Sequence, residues 1–153
     1  MKKDNKFHIL IPVFNENETI LETVKNIFQN VSHDYEILIC YDFDEDNTLN
    51  ILKKNFRDNS KIRYIKNKSR GFNLALITGI ENSDADAILI YMADDHNNSK
   101  LIDKIFEKYN EGYHVVCPSR FIQGGNMIGV PFPKNVLTKL ASLIIFNFST
   151  FPI

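Results

Sequence analysis

Short apolar runs alternate with amphipathic stretches along most of this chain of 153 residues. The runs are rich in Ile, Val and Leu and are apolar almost throughout, which is typical of strands buried on both faces of a parallel sheet. Five such runs predict five strands, at Phe7–Val13, Glu36–Tyr41, Lys61–Ile65, Ala87–Met92 and Tyr113–Pro118.

The stretches between the runs carry apolar residues three and four positions apart, the spacing of one face of a helix. Four apolar faces predict four helices: Ile20, Leu21, Val24, Ile27, Phe28 and Val31; Leu49, Leu52 and Phe56; Phe72, Ala75, Gly79 and Ile80; and Leu101, Ile102, Ile105, Phe106 and Tyr109. Alternating strands and helices predict right-handed βαβ units. We expect an α/β fold, a Rossmann-like and mostly parallel sheet with helices on both faces.

Polar residues cluster directly after each predicted strand. In open α/β sheets, ligands bind outside the carboxyl ends of the strands, so these clusters predict one shared site. The clusters are Phe14–Glu16, Asp42–Asp46, Lys66–Gly71, Asp94–His96 and Ser119–Arg120.

The cluster after the fourth strand predicts a metal site. Asp94, Asp95 and His96 follow an apolar run, and unpaired charge is too costly to bury there. Carboxylate and imidazole ligands suit a divalent cation such as Mg²⁺ or Mn²⁺, which points to a nucleotide substrate. Asp94 is the first choice as ligand and His96 the second. The alternative is that Asp95 or Asn97 simply caps the next helix.

Asp42 is the first polar residue after the second strand, and we assign it to a nucleobase. A carboxylate accepts N–H bonds from uracil or guanine and rejects bases that lack the donor. The alternative is a solvated turn in which Asp46 or Asn47 caps the following helix, and we favour that alternative for Asp44, Glu45 and Asp46.

The loop after the first strand predicts a helix cap. Asn15 and Glu18 have the spacing of a capping box, in which two side chains satisfy two free backbone amides. This assignment leaves Glu16 without a structural role, and we expect it to contact the ligand.

Basic residues predict contacts to phosphate. Lys66, Lys68 and Arg70 precede Gly71, and a solvated loop competes evenly with attraction of a diphosphate. Arg120 lies before the glycine-containing segment Gln123–Asn126, and its planar fork suits phosphate oxygens, with a surface ion pair as the alternative.

The charge balance and the cysteine content restrict the partners and the cellular compartment expected for this protein. The 18 basic and 19 acidic residues nearly cancel, which argues against a nucleic-acid partner. Cys40 and Cys117 lie in apolar runs and are expected to be buried free thiols, which favours a reducing compartment and a cytoplasmic location.

Taken in order, the motifs resemble those of family 2 glycosyltransferases with the GT-A fold, especially the dolichyl- or polyprenyl-phosphate mannosyltransferase-like branch. Tyr41–Thr48 resembles the family loop Asp-Asp-Gly-Ser-x-Asp-Gly-Thr, and Met92–Asp94 occupies the Asp-x-Asp position. The other matching segments are Ile11–Glu16, Arg70–Gly79 and Pro118–Arg120 with Gly124 and Gly125.

The resemblance implies transfer of a sugar from a nucleotide diphosphate with inversion at the anomeric carbon. Asp94 and Arg120 would be the catalytic groups, the first holding the metal and the second neutralising phosphate. Asp42 would hold the base, and His96 stands where the branch often has a metal-contacting Gln. Pro12, Phe14 and Glu16 would frame the nucleotide. Residues 1–132 would form the nucleotide-sugar-binding domain, and residues 133–153 would begin an apolar C-terminal helix.

Four departures from the family pattern affect this interpretation. Tyr41 replaces the first Asp of the loop, and Met92 replaces the first Asp of Asp-x-Asp, which removes one expected metal ligand. Phe14 stands where the mannosyl branch usually has Tyr. The sequence stops at Ile153, where relatives continue, so we expect a fragment of a longer protein.

The kind of acceptor is predicted from the lack of a convincing general base in the sequence. A polyprenyl phosphate is already ionised, whereas a hydroxyl acceptor of a cell-surface glycan requires a base, and only Asp95 is a candidate. The apolar segment Val136–Phe148 either packs on the flank of the sheet or lies at a membrane interface beneath a lipid acceptor. A nucleotidyltransferase and a non-catalytic nucleotide-binding domain remain as alternatives.

Overall fold

The structure, a computed structural model, describes residues 5–57, 59–120, 125 and 131–148. It divides into two compact units, Met1–Val116 and Cys117–Ile153. The domain boundary predicted between residues 132 and 133 stays a prediction.

The first unit contains a parallel sheet of four strands in the order β3-β2-β1-β4. The helix α3 covers one face, and α1, α2 and α4 cover the other, so the predicted α/β fold is confirmed. The elements are β1 (Phe7–Val13), α1 (Ile20–Asn30), β2 (Tyr35–Tyr41), α2 (Asn47–Asn55), β3 (Ile62–Lys66), α3 (Phe72–Glu81), β4 (Ala87–Ile90), a 3₁₀ turn (Ser99–Leu101) and α4 (Ile102–Asn110).

Successive residues of β1 and β2 supply two separate core layers, because side chains alternate between the faces of a strand. Ile9 and Ile37 pack in the larger layer with α1, α2 and α4. Leu10 and Leu38 pack in the smaller layer beneath α3. Burial on both faces explains why these strands are apolar throughout.

The predicted fifth strand is wrong. Residues 113–118 adopt no regular secondary structure, and Cys117 is exposed rather than buried. An apolar run becomes a strand only when a neighbouring strand supplies hydrogen bonds, and the run alone does not reveal that partner. Cys40 is buried, as expected, and burial raises the pKa of its thiol to about 12.

The buried face of α3 differs from the predicted one. Phe72 and Ile80 are half exposed, and the helix instead packs through Ala75, Thr78 and Gly79. These small residues bring the helix backbone close to the sheet. A Cβ at Gly79 would overlap the side chain of Leu10 and lie 2.9 Å from the Cys40 sulfur.

The second unit contains α5 (Phe132–Phe148), which includes the apolar segment Val136–Phe148. Pro133 lies in its first turn, where the missing N–H costs nothing. Among the described residues, no helix combines the length and apolarity needed to cross a bilayer.

A buried histidine lies at the amino end of β1, at the opposite edge from the polar loops. His8 Nδ1 lies 2.7 Å from Ser83 Oγ. Its Nε2 is 3.1 Å from a Glu36 carboxylate oxygen but outside hydrogen-bonding geometry. Burial lowers the pKa of His8, Glu36 opposes that shift, and Lys6 and Arg63 add to it.

We expect Gly79→Ala to destabilise the protein. The overpacking cost of about 1–3 kcal/mol exceeds the gain of about 1 kcal/mol from replacing a helical glycine. Chemical denaturation measures the change. Ile77→Ala, at a half-exposed position of the same helix, is the control and should change stability little. An increase in stability for Gly79→Ala would show that α3 does not pack this closely.

We expect the free energy of unfolding to fall as the pH drops from about 6.5, the ordinary pKa of histidine. Since the native pKa of His8 is lowered, the unfolded chain takes up the proton first, and the stabilisation present above that pH is lost. The pKa values of Asp84 and Asp103 are also lowered from their ordinary value of 3.8. These two groups therefore change the stability mainly in more acidic solution than the pH range of this test. Denaturation between pH 5 and 7 should therefore show a smaller fall for His8→Gln than for wild type, and equal slopes would refute this origin.

Candidate functional site

A cleft of about 460 Å³ lies at the carboxyl edge of the sheet in the first unit. Six predicted site residues line it together: Pro12, Phe14, Glu16, Asp42, Arg70 and Asp94. Its other lining residues are Val13, Gly71, Phe72, Met92 and Ala93. The convergence follows from the fold, because parallel strands deliver the loops at their carboxyl ends to one edge.

The first loop is held by a carboxylate of the second. Asp46 is fully buried, and its oxygens accept the backbone N–H of Asn15 at 3.1 and 3.2 Å and that of Thr48 at 2.9 Å. Asn15 has a φ of 56°, a left-handed conformation that asparagine tolerates. The predicted capping box of Asn15 and Glu18 is therefore wrong. The N-cap of α1 is Thr19, without a side-chain hydrogen bond.

Asp46 also caps α2, which confirms the capping alternative for this residue. Its second role, holding the first loop, was missed because the partner lies 31 positions away in sequence.

Glu16 is anchored by its backbone, which leaves its carboxylate at the cleft. Its N–H donates to Thr48 Oγ1 at 2.9 Å, and its carbonyl accepts from Ile20 N at 3.0 Å. The carboxylate accepts one long bond, 3.3 Å from Thr19 Oγ1. A ligand role for Glu16 stays a prediction.

Asp42 connects the second loop to the third. One carboxylate oxygen accepts from Asn67 Nδ2 at 3.0 Å, and the other accepts from the Gly71 N–H at 2.9 Å. Each carboxylate oxygen has a further lone pair, so a base N–H can still be accepted. Asn67 was missed by the sequence analysis. It is buried, and its Oδ1 accepts from Thr78 Oγ1 at 2.6 Å.

The basic residues of the third loop separate into two kinds. Lys66 pairs with Asp44, and Lys68 lies 3.9 Å from Glu81. Arg70 has no carboxylate partner within the described part of the chain, and it lines the cleft. Its guanidinium carbon instead lies 5.5 Å from the centre of the Phe43 ring. The structure thus favours a solvated loop for the lysines and leaves Arg70 available to an anion.

Asp94 fits a divalent cation, and its neighbour Asp95 does not. The Asp94 carboxylate is exposed in the cleft and makes no hydrogen bond or ion pair to any described residue. Asp95 accepts the backbone N–H groups of Asn97 and Asn98 and so closes a local turn. The alternative that Asp95 or Asn97 caps the next helix is wrong, because the N-caps of the 3₁₀ turn and of α4 are Asn98 and Leu101, and neither end has a side-chain cap. Met92, half exposed beside Asp94, offers a thioether where a second carboxylate would stand.

His96 lies outside the lining of the cleft. Its Nδ1 is buried without a hydrogen-bond partner in the described structure, an unsatisfied nitrogen that a metal or a water would satisfy. The described residues contain no group of three His, Cys, Asp or Glu side chains that could hold a metal. Asp94 could therefore serve a cation that takes its remaining ligands from phosphate and water, as Mg²⁺ usually does. A ligand role for His96 stays a prediction.

The charges of the cleft argue for a cation with any phosphate ligand. Glu16, Asp42 and Asp94 are acidic, and Arg70 is the basic residue of the lining. A diphosphate would meet net negative charge there, and a divalent ion would neutralise that charge.

Arg120 belongs to the second unit, and its role beside phosphate stays a prediction. In the same unit, a Cβ on Gly125 would lie 2.6 Å from the Arg120 carbonyl oxygen. Gln123, Gly124 and Asn126 lie outside the described residues.

Two curated proteins show what the chain is similar to. It is 31% identical over 124 residues to undecaprenyl-phosphate 4-deoxy-4-formamido-L-arabinose transferase of Proteus mirabilis, covering 78% of this chain and 38% of that protein. It is 25% identical over 143 residues to dolichol-phosphate mannosyltransferase of Pyrococcus furiosus, covering 91% and 40%. The chain thus spans about two fifths of the length of these relatives.

A solved structure supports the fold. Glucosyl-3-phosphoglycerate synthase from Mycobacterium tuberculosis, in complex with Mn²⁺, uridine diphosphate and glucosyl-3-phosphoglycerate, matches with a TM-score of 0.58 at 15% identity. The match covers 71% of this chain and 40% of that one, and it confirms the GT-A fold.

The family profile of glycosyl transferase family 2 matches residues 8–148, nearly the whole chain. This match agrees with the order of motifs and with the cleft at the carboxyl edge. The chain belongs to glycosyl transferase family 2.

Proposed function

We propose that the chain forms the donor-binding part of an inverting glycosyltransferase that moves a sugar from a GDP- or UDP-sugar to a polyprenyl phosphate. The observation that carries this proposal is the single cleft in which Asp42, Arg70 and Asp94 meet. A base acceptor, an anion receptor and a metal ligand are the three groups that a nucleotide diphosphate with its cation requires.

Each residue acts on a different part of the donor. Asp42 accepts an N–H of uracil or guanine, and Pro12, Phe14 and Glu16 frame the nucleotide. Arg70 and Arg120 donate to the phosphate oxygens. Asp94, with His96 as the second ligand, would hold Mg²⁺ or Mn²⁺, and the ion would supply Lewis-acid stabilisation of the leaving diphosphate.

The reaction is a direct displacement. An acceptor oxygen forms a bond to the anomeric carbon as the bond from that carbon to the diphosphate oxygen breaks, so the configuration inverts. Negative charge develops on the leaving diphosphate. The guanidinium group of Arg70 is a positive charge that stabilises it in the transition state, and we expect Arg120 to supply a second.

The contacts of Asp95 favour a phosphate acceptor. The sequence made Asp95 the candidate for a general base, and this residue is already bonded to the backbone amides of Asn97 and Asn98. A phosphate acceptor is ionised and needs no such base. The printed names of the two curated relatives, an undecaprenyl-phosphate transferase and a dolichol-phosphate transferase, support the same choice.

Met92 favours a second candidate, a non-catalytic nucleotide-binding domain, because it replaces a carboxylate beside Asp94. The two candidates differ in one result. The transferase releases nucleotide diphosphate from a nucleotide sugar when polyprenyl phosphate is added, and the binding domain does not.

The helix α5 supports a peripheral contact with the cytoplasmic face of a membrane. At 3.6 residues per turn, Val136, Leu140 and Leu143 share one side, and Lys134 and Thr138 lie on the other. Eight large apolar residues of the helix are exposed: Phe132, Val136, Leu137, Leu140, Leu143, Ile144, Ile145 and Phe148. The apolar side also carries Lys139, and the opposite side also carries Ile145. The support for an interfacial position is therefore the large exposed apolar surface of the helix.

Calorimetry with UDP and GDP, with and without Mn²⁺, tests the donor site. Mn²⁺ should strengthen binding in wild type. Asp94→Asn should weaken that enhancement at least about tenfold. Mutating a residue that only orients a metal ligand already lowers metal affinity about tenfold or more, and Asp94 is proposed as a ligand itself. Met92→Asp is the matched variant, and its added carboxylate should strengthen the enhancement. An unchanged Mn²⁺ effect in Asp94→Asn would refute the metal assignment.

Flotation with anionic vesicles tests the membrane contact. The wild-type chain should float with the lipid, and Leu140→Glu should reduce the floating fraction because it places a charge on the apolar side of α5. Thr138→Glu adds the same charge to the opposite side and controls for electrostatic repulsion. A wild-type chain that stays entirely in the aqueous fraction would remove the lipid-facing role.

A further inference from the structure

Arg70 is held at the cleft by an aromatic ring and not by an acid. Its guanidinium carbon is 5.5 Å from the centre of the Phe43 ring, within the range of a cation–π contact. No carboxylate pairs with it in the described part of the chain, although Asp42 lines the same cleft. The N–H donors of Arg70 are therefore not consumed by an ion pair.

Phe43 is itself fixed from another loop. The ring of Phe14 meets it edge to face, with centroids 5.6 Å apart and an interplanar angle of 73°. Phe43 is partly buried and lies outside the lining of the cleft, whereas Phe14 and Arg70 belong to that lining. The three side chains come from the loops after β3, β2 and β1, so the ring connects three loops at the edge of the cleft.

We propose that Phe43 is a positioning residue that holds the Arg70 guanidinium ready for the phosphate groups of the ligand. This inference rests on the proposed function. An unrestrained arginine loses the freedom of several rotatable bonds when it binds, and prior ordering reduces that loss. A cation–π contact uses none of the five N–H donors, and no described residue accepts from them, so they remain available to phosphate oxygens.

Binding of UDP and GDP, compared with uridine and guanosine, separates a phosphate effect from a base effect. Phe43→Leu keeps an apolar side chain but removes the ring, and it should weaken diphosphate binding about two- to fivefold, the size of an exposed cation–π contact. Phe43→Tyr keeps the ring face and should bind as wild type does. Nucleoside affinity should be unchanged in both variants.

A double-mutant cycle identifies the partner. Arg70→Ala should weaken diphosphate binding about tenfold or more, the loss expected for a charged hydrogen bond. Adding Phe43→Leu to Arg70→Ala should cause no further loss, because the ring acts only through the arginine. Lys53→Gln removes a cation–π contact of the same 5.5 Å length, to Tyr64, outside the cleft, and should leave binding unchanged.

The outcomes separate this inference from the proposed function. If wild type binds neither UDP nor GDP, both fail. If wild type binds and Phe43→Leu leaves diphosphate affinity unchanged, the positioning role alone is refuted. An equal loss for nucleosides, or additive losses in the cycle, would show that Phe43 acts without Arg70 and would also overturn it. Circular dichroism confirms that each variant is folded.

Discussion

Carboxylates that reach from one loop to the backbone of another hold the cleft in shape. A parallel sheet brings the loops to one edge, but it does not fix how they lie against each other. Asp46 does so for the first two loops by accepting the amide of Asn15, and Asp42 does so for the second and third by accepting the amide of Gly71. Amides left without an acceptor would carry a cost, so each carboxylate both satisfies a donor and fixes a loop.

This use of acids gives the cleft its electrostatic character. The loops that carry Asp42, Glu16 and Asp94 leave an acidic lining, with Arg70 as the opposing charge. A divalent cation would reduce the repulsion between such a surface and a diphosphate, so metal and nucleotide are expected to strengthen each other's binding. The aromatic contact of Phe43 preserves the one positive charge of this lining, because the ring contacts Arg70 without neutralising it.

Sequence patterns predicted the parts of the structure that depend on local order. The apolar run Phe7–Val13 became β1 with the predicted bounds, and six site residues met because topology places strand ends together. Contacts distant in sequence were beyond such patterns. Asn15 looked like a helix cap because its spacing to Glu18 fits, yet its amide is taken by Asp46. The run Tyr113–Pro118 looked like a strand, but apolarity does not provide the neighbour that a strand needs.

A crystal structure of the chain with Mn²⁺ and UDP or GDP would test the central claim most directly. The account predicts a nucleotide in the cleft, with its base against Asp42, its phosphates against Arg70, and an anomalous manganese peak between the diphosphate and Asp94. A nucleotide bound elsewhere, or a manganese peak remote from Asp94, would contradict it.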